Sequence, residues 1–194
     1  GEYEPYKINV FGNITDAFGV IDLWDNDEIK SSLIEPASDV YFIRLELKDS
    51  NGVVLSVNSY AVPKRNDIAG ASHAWNRSGT YQVGDLTQLN QLPEVDLEIS
   101  KVASKKSGNK NVLTYRINNP TDKIAYAVEL RAYSDSDNKT LVAPVFYDDN
   151  LFTLFPGESR EVNITYNRSD LSVDAFVKVN CYNNVVKGSD SRAA

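Results

Sequence analysis

An all-β chain, built as two linked β-sandwich units, is the architecture this sequence predicts. Three observations carry the prediction. Short runs of β-branched and aromatic residues recur through the 194 residues, punctuated by Asn, Asp, Gly and Pro. The periodicity of an amphipathic helix is correspondingly hard to find, and the strand candidates fall at the spacing of a sandwich.

Taken in order, the candidate strands are Lys7–Phe11, Phe18–Trp24, Val40–Leu47 and Val53–Val62, then Val95–Ala103, Asn111–Asn118, Ile124–Tyr133, Leu151–Phe155, Arg160–Tyr166 and Phe176–Tyr182. Val40–Leu47 and Val53–Val62 read as one hairpin closed at Asp49-Ser-Asn-Gly52, because Asn and Gly both tolerate positive φ. Residues 1–62 then form a partial or minimal sandwich. With about 60 residues such a unit is marginal by itself, so it docks on the second unit or has part of its sheet upstream of Gly1. Residues 63–91 break every pattern yet keep Trp75 and Tyr81, which predicts an ordered connector rather than a floppy linker. A helical turn is expected at Asp85–Leu89, with Asp85 as its cap. Residues 92–194 hold at least six strand candidates, enough for a core of their own. Within them Leu151–Phe155 and Arg160–Tyr166 read as a hairpin across Pro156-Gly157, the signature of a type II turn.

Composition narrows the function. A net charge of −7 argues against a nucleic-acid groove, which needs clustered Lys and Arg. The basic run Lys101–Lys110 is interrupted by Ser, Gly and Asn and reads as a solvated hairpin tip. No apolar run approaches the roughly 18 residues of a membrane helix. Cys181 is the single cysteine, which excludes an internal disulfide and predicts a small buried hydrophobe. The chain holds no Met and opens Gly1-Glu-Tyr-Glu-Pro5, which predicts a segment of something longer.

Three blocks, in order, resemble a known family. Val40–Tyr60 is similar to V-F-F-L-R-L-x-L-x-D-x-x-G-x-x-L-S-x-N-x-Y-W, although Ala61 stands where the family has Trp. Tyr81–Val95 is similar to Y-A-D-(L/Y)-T-A-L-x-x-L-P-x-V. Tyr147-Asp-Asp-Asn-Leu-Phe-Thr-Leu-Phe-Pro-Gly-Glu158 resembles (W/Y)-(S/D)-D-N-x-(F/I)-T-L-x-P-G-E. These are blocks of the C-terminal region of family 2 glycoside hydrolases of the exo-β-D-glucosaminidase and β-mannosidase kind. The resemblance implies that the second unit is immunoglobulin-like. It also implies a parent with a (β/α)₈ barrel and a retaining mechanism, whose two carboxylates stand about 5 Å apart on that barrel. No barrel is present here, so no catalytic residue, cofactor or metal is carried over. Asn58, Tyr60, Asp85, Asp148, Asp149, Asn150, Pro156, Gly157 and Glu158 are the signature positions, and a structural role is expected of them. Asp148–Asn150 is expected to bond loop backbone ahead of the Leu151 strand.

The remaining candidates are weighed one by one. His73 is the only histidine and lies in the connector without a nucleophile elbow, so a surface histidine is expected. Asp135-Ser-Asp-Asn138 lacks the central Gly and final Glu of a calcium loop, and turn chemistry accounts for it. Trp24, Trp75, Tyr81, Phe146 and Tyr147 are candidates for stacking on a sugar face or for packing between domains. Five sequons occur, at Asn13, Asn76, Asn138, Asn163 and Asn167; frequent Asn alone produces about two or three, and Asn163 falls inside a strand candidate, so they are given no weight.

The expected function is a non-catalytic accessory region of a hydrolase acting on terminal β-linked glucosamine or mannose. Its partner would be the barrel of the same polypeptide, with contact to carbohydrate indirect, no nucleic acid and no membrane, in a secreted or periplasmic setting. The alternatives are an autonomous carbohydrate-binding module and a surface adhesion domain.

Overall fold

The computed structural model describes residues 38–65, 68–69, 80–167, 169, 171 and 173–184, with backbone alone at 68–69 and 80–82. The expected strands Lys7–Phe11 and Phe18–Trp24 lie outside the described residues. Two compact units emerge from the packing: one holds Phe42–Ala61 and the chain from Thr87 onward, the other the residues up to Tyr41 together with Val62–Leu86. The packing boundary therefore cuts through the hairpin expected to belong wholly to the first sandwich.

That hairpin is β1 (Val40–Lys48) and β2 (Val54–Pro63). At its turn Gly52 N–H donates to Asp49 O at 3.0 Å and Asp49 N–H to Val53 O at 2.9 Å. The Asp49 carboxylate accepts the N–H groups of Asn51 and Val53 at 2.9 and 2.8 Å. Of the Asn-Gly pair only Gly52 is left-handed, at φ 81. The loop is thus the three-residue kind closed by a glycine bulge. In the other unit, β3 (Ile68–Ala69) pairs antiparallel with β4 (Thr80–Gln82) within the expected connector.

The second stretch of the larger unit opens with a 3-10 helix at Thr87–Gln91, whose Leu89 is buried; the helical turn falls two residues beyond its expected start. Seven strands follow: β5 (Glu98–Ser107), β6 (Lys110–Asn118), β7 (Ala125–Tyr133), β8 (Val145–Tyr147), β9 (Phe152–Leu154), β10 (Ser159–Asn167) and β11 (Phe176–Asn180). They form a four-stranded sheet, β5-β6-β10-β8, and a three-stranded sheet, β11-β7-β9. Alternation sets the inner faces: Leu113 and Ile117 of β6, with Val162, Ile164 and Tyr166 of β10, meet Val128, Leu130 and Ala132 of β7 and Phe152 and Leu154 of β9 in one core. This is an all-β, immunoglobulin-like sandwich.

Two expectations are corrected. The short strand β8 was not anticipated. More consequentially, β9 and β10 do not form a hairpin: β9 pairs with β7, while β10 pairs with β6 and β8. The turn between them is the expected type II, with Gly157 at φ 73 and Glu158 N–H donating to Phe155 O at 3.1 Å. Type II geometry opposes the twist of paired strands and splays them, so here it sends the chain across the sandwich.

Candidate functional site

The signature segment crosses between the sheets twice, leaving the four-stranded sheet at β8, joining the other at β9 and returning at β10. An extended crossing leaves backbone groups without ladder partners, and buried groups of that kind must be paired. Side chains of the segment meet this need at both crossings.

At the first crossing Asp148 accepts the backbone N–H of Asn163 at 2.8 Å and its side-chain amide at 2.7 Å. Asn163 in turn accepts the Thr114 hydroxyl at 2.7 Å. Asp149 pairs with Arg160 at 2.5 Å, and the Arg160 guanidinium lies 4.7 Å from the Phe152 ring centre. Asn150 acts as a surrogate strand residue: its Oδ1 accepts the Leu130 N–H at 2.8 Å and its Nδ2 donates to Leu130 O at 3.1 Å. The same Oδ1 accepts the N–H of Leu151. These groups thus reach beyond their own loop, to β10 and β7.

The second crossing is held by Glu158 and by a residue that sequence reasoning missed. Glu158 Oε2 accepts the Phe155 N–H at 3.0 Å, and Oε1 takes the Arg44 guanidinium of the hairpin. Arg44 stands 5.2 Å from the Phe155 ring centre and also pairs with Glu46 at 2.6 Å. Burial alone would lower the Arg44 pKa, but its bonds to Glu158 and Glu46 raise it above the ordinary value. Two arginine–carboxylate–aromatic sets of the same kind thus stand on one segment. Beneath the turn lies Asn119, fully buried, whose backbone N–H donates to Glu158 O at 2.9 Å and whose carbonyl accepts the Gly157 N–H at 3.1 Å. Asn183 does similar work at the far edge, accepting the Tyr126 N–H and donating to Pro93 O and Ile124 O. The signal for Asn119 was the dipeptide Asn119-Pro120, a turn initiator.

The other sequence candidates are scattered. Phe146 is 64% exposed on β8, opposite Thr165. Tyr147 packs on the core and its hydroxyl oxygen accepts the Ala132 N–H at 3.0 Å. Burial raises its pKa against the opposing effect of that bond. Asn58 and Tyr60 are exposed on β2, and Asp85 is exposed ahead of the 3-10 helix. Tyr81 occupies the middle of β4. Trp24, His73 and Trp75 lie outside the described residues. Asp135 accepts the N–H groups of Lys139 and Thr140, so turn bonding engages it. Among the described residues no three His, Cys, Asp or Glu side chains are grouped to hold a metal ion. Cys181 is buried in the core, and burial pushes its thiol up to about 11.

Comparison with known proteins is consistent with this arrangement. Curated relatives include exo-β-D-glucosaminidases of Arthroderma benhamiae, 32% identical over 76% of this chain and 17% of that protein, and of Streptomyces avermitilis, 30% identical over 72% and 16%. The chain thus spans about a sixth of the length of these relatives. The solved structure of Amycolatopsis orientalis exo-chitosanase CsxA superposes with a TM-score of 0.69 over 79% of this chain and 19% of that one. At 24% identity that likeness speaks for the fold alone. Residues 75–184 match the model of the exo-β-D-glucosaminidase Ig-fold domain. With more than half of its length inside that match, the chain belongs to the immunoglobulin-fold domain family of exo-β-D-glucosaminidases.

Proposed function

We propose that this chain is a non-catalytic accessory region of a family 2 glycoside hydrolase, bracing a catalytic barrel of the same polypeptide. The observation that carries the reading is the use to which the signature is put. Asp148, Asp149, Asn150 and Glu158 are each bonded within the chain, across the sandwich or to the hairpin, which is architectural work. The small share of each relative that the chain spans supports a part in a larger assembly. Terminal β-linked glucosamine is favoured over mannose as the sugar, because the relatives named above are glucosaminidases. An accessory domain sits where its enzyme meets the polymer, so the reading carries a secreted or periplasmic setting with it.

Two assays test it. The purified chain, shown to be folded, is expected to release no glucosamine from chitosan oligosaccharides. The Arthroderma benhamiae enzyme with its matching region replaced by this chain is expected to release it. Hydrolysis by the chain alone sinks the reading, and saturable binding heat from the chain alone makes it a carbohydrate-binding module instead.

A further inference from the structure

Between β8 and β9 the chain maintains a disfavoured backbone that brings it little internal burial. Leu151 sits at φ 59, in the left-handed region where any Cβ is crowded by the following carbonyl. Its side chain is 66% exposed, so packing among the described residues does little to offset the strain. The connection is nevertheless held firmly, by Asp148 on Asn163, Asp149 on Arg160 and Asn150 on both backbone groups of Leu130. Phe146, 64% exposed, lies in the middle of β8, two residues ahead of the connection. Strain that the surroundings over-determine, at an exposed apolar side chain, points to what that side chain is presented to.

We propose that the β8–β9 connection is a docking knob, and that Leu151, with the exposed Phe146 of the preceding strand, seats in apolar surface of the catalytic part of the same polypeptide. The proposal rests on the accessory-domain reading above. Two observations choose a protein surface over a sugar. The polar side chains beside the knob are already bonded to this chain, whereas a sugar needs such groups turned toward its hydroxyls. Leu151, moreover, where the strain is held, offers no flat face for a pyranose ring. The relatives supply the partner's extent: the chain covers 17% and 16% of two of them, so most of their length lies outside the matched region.

Leu151→Gly separates presentation from stability, because glycine accepts φ 59 without strain and little burial is lost. In the isolated chain it is expected to raise Tm by about 2 °C. In the full-length polypeptide that carries this segment, Leu151→Gly and Phe146→Ser are each expected to speed proteolytic release of the domain by about tenfold. Heat inactivation of glucosamine release should quicken in parallel, while Val173→Ser, at an equally exposed loop position, leaves both unchanged. A lower Tm for the isolated Leu151→Gly chain would make the side chain internal structure and overturn the proposal. An active full-length polypeptide indifferent to both substitutions overturns the docking alone. One that hydrolyses no glucosamine glycan overturns the accessory-domain reading, and the docking with it.

Discussion

Asn119 has no charge and no exposed surface, yet five bonds converge on its side chain. Its amide donates to the carbonyls of Lys123, Leu154 and Phe155, at 2.7, 3.2 and 3.3 Å. Its oxygen accepts the N–H and hydroxyl of Thr121, at 3.2 and 2.7 Å. Asn119→Ala strands several of these buried groups at once, and unpaired buried partners are costly. We expect urea unfolding to show a loss of about 2–4 kcal/mol; a loss under 1 kcal/mol would mean water replaces the amide. Cys181 gives a second check at this scale. With its thiol pushed up to about 11 from an ordinary 9, the native thiolate fraction at pH 8 falls about a hundredfold, and alkylation should slow at least that much relative to the unfolded chain. The stability this contributes is fully present below pH 9 and is lost as pH rises through 9 toward 11. Of these two residues the cysteine was legible, since a lone thiol in a strand-like alternation has one common fate. The asparagine was not, because the same residue type fills the loops and sequons of this chain and only the fold distinguishes a brace from a turn.

The strands themselves were largely legible from alternation, and the Pro156-Gly157 turn from its chemistry. What a reading by pattern missed was destination. A strand, a turn and a strand in sequence suggest a hairpin, yet β9 and β10 belong to opposite sheets. All three residues of β9 are buried, which strict alternation would not allow at a solvent-facing edge. The turn's glycine is left-handed, at φ 73. Gly157→Ala leaves space for the methyl group, with nothing within 4 Å, so its cost is the conformational one, about 1–2 kcal/mol. Thermal melts should show it as a drop of about 2–8 °C without change in the far-UV spectrum. An unchanged Tm would mean that the turn relaxes and that Glu158 does not depend on its geometry.

At the scale of the molecule, two sheets around one apolar core account for the larger unit, and β5 shows how its long edge is kept from pairing with other chains. Lys101, Lys105 and Lys106 line that strand, and its register shifts between Lys101 and Ala103; charge and irregularity both discourage strand addition. The hairpin carries Arg44, Glu46 and Lys48 on β1 but keeps apolar surface beside them. Leu45, Leu47, Val53, Val54 and Leu55 are all exposed on it, which is more apolar surface than a two-stranded ribbon keeps to itself. A partner in the same polypeptide follows from the accessory reading, and replacement of the matching region in a fungal relative is its test at this scale. Ala61 in place of the expected Trp, by contrast, has no counterpart in the contacts that explain it.

The clasp between Arg44 and Glu158 joins residues 114 positions apart, and this sets an order of events during synthesis. The hairpin leaves the ribosome complete while its anchor does not yet exist. At about 5–20 residues per second the interval is on the order of ten seconds. Over that time Arg44 has neither Glu158 nor the Phe155 ring, and β1 and β2 lack the clasp that ties them to the sandwich. The last signature block, by this account, is also the signal that ends the chain's most vulnerable period.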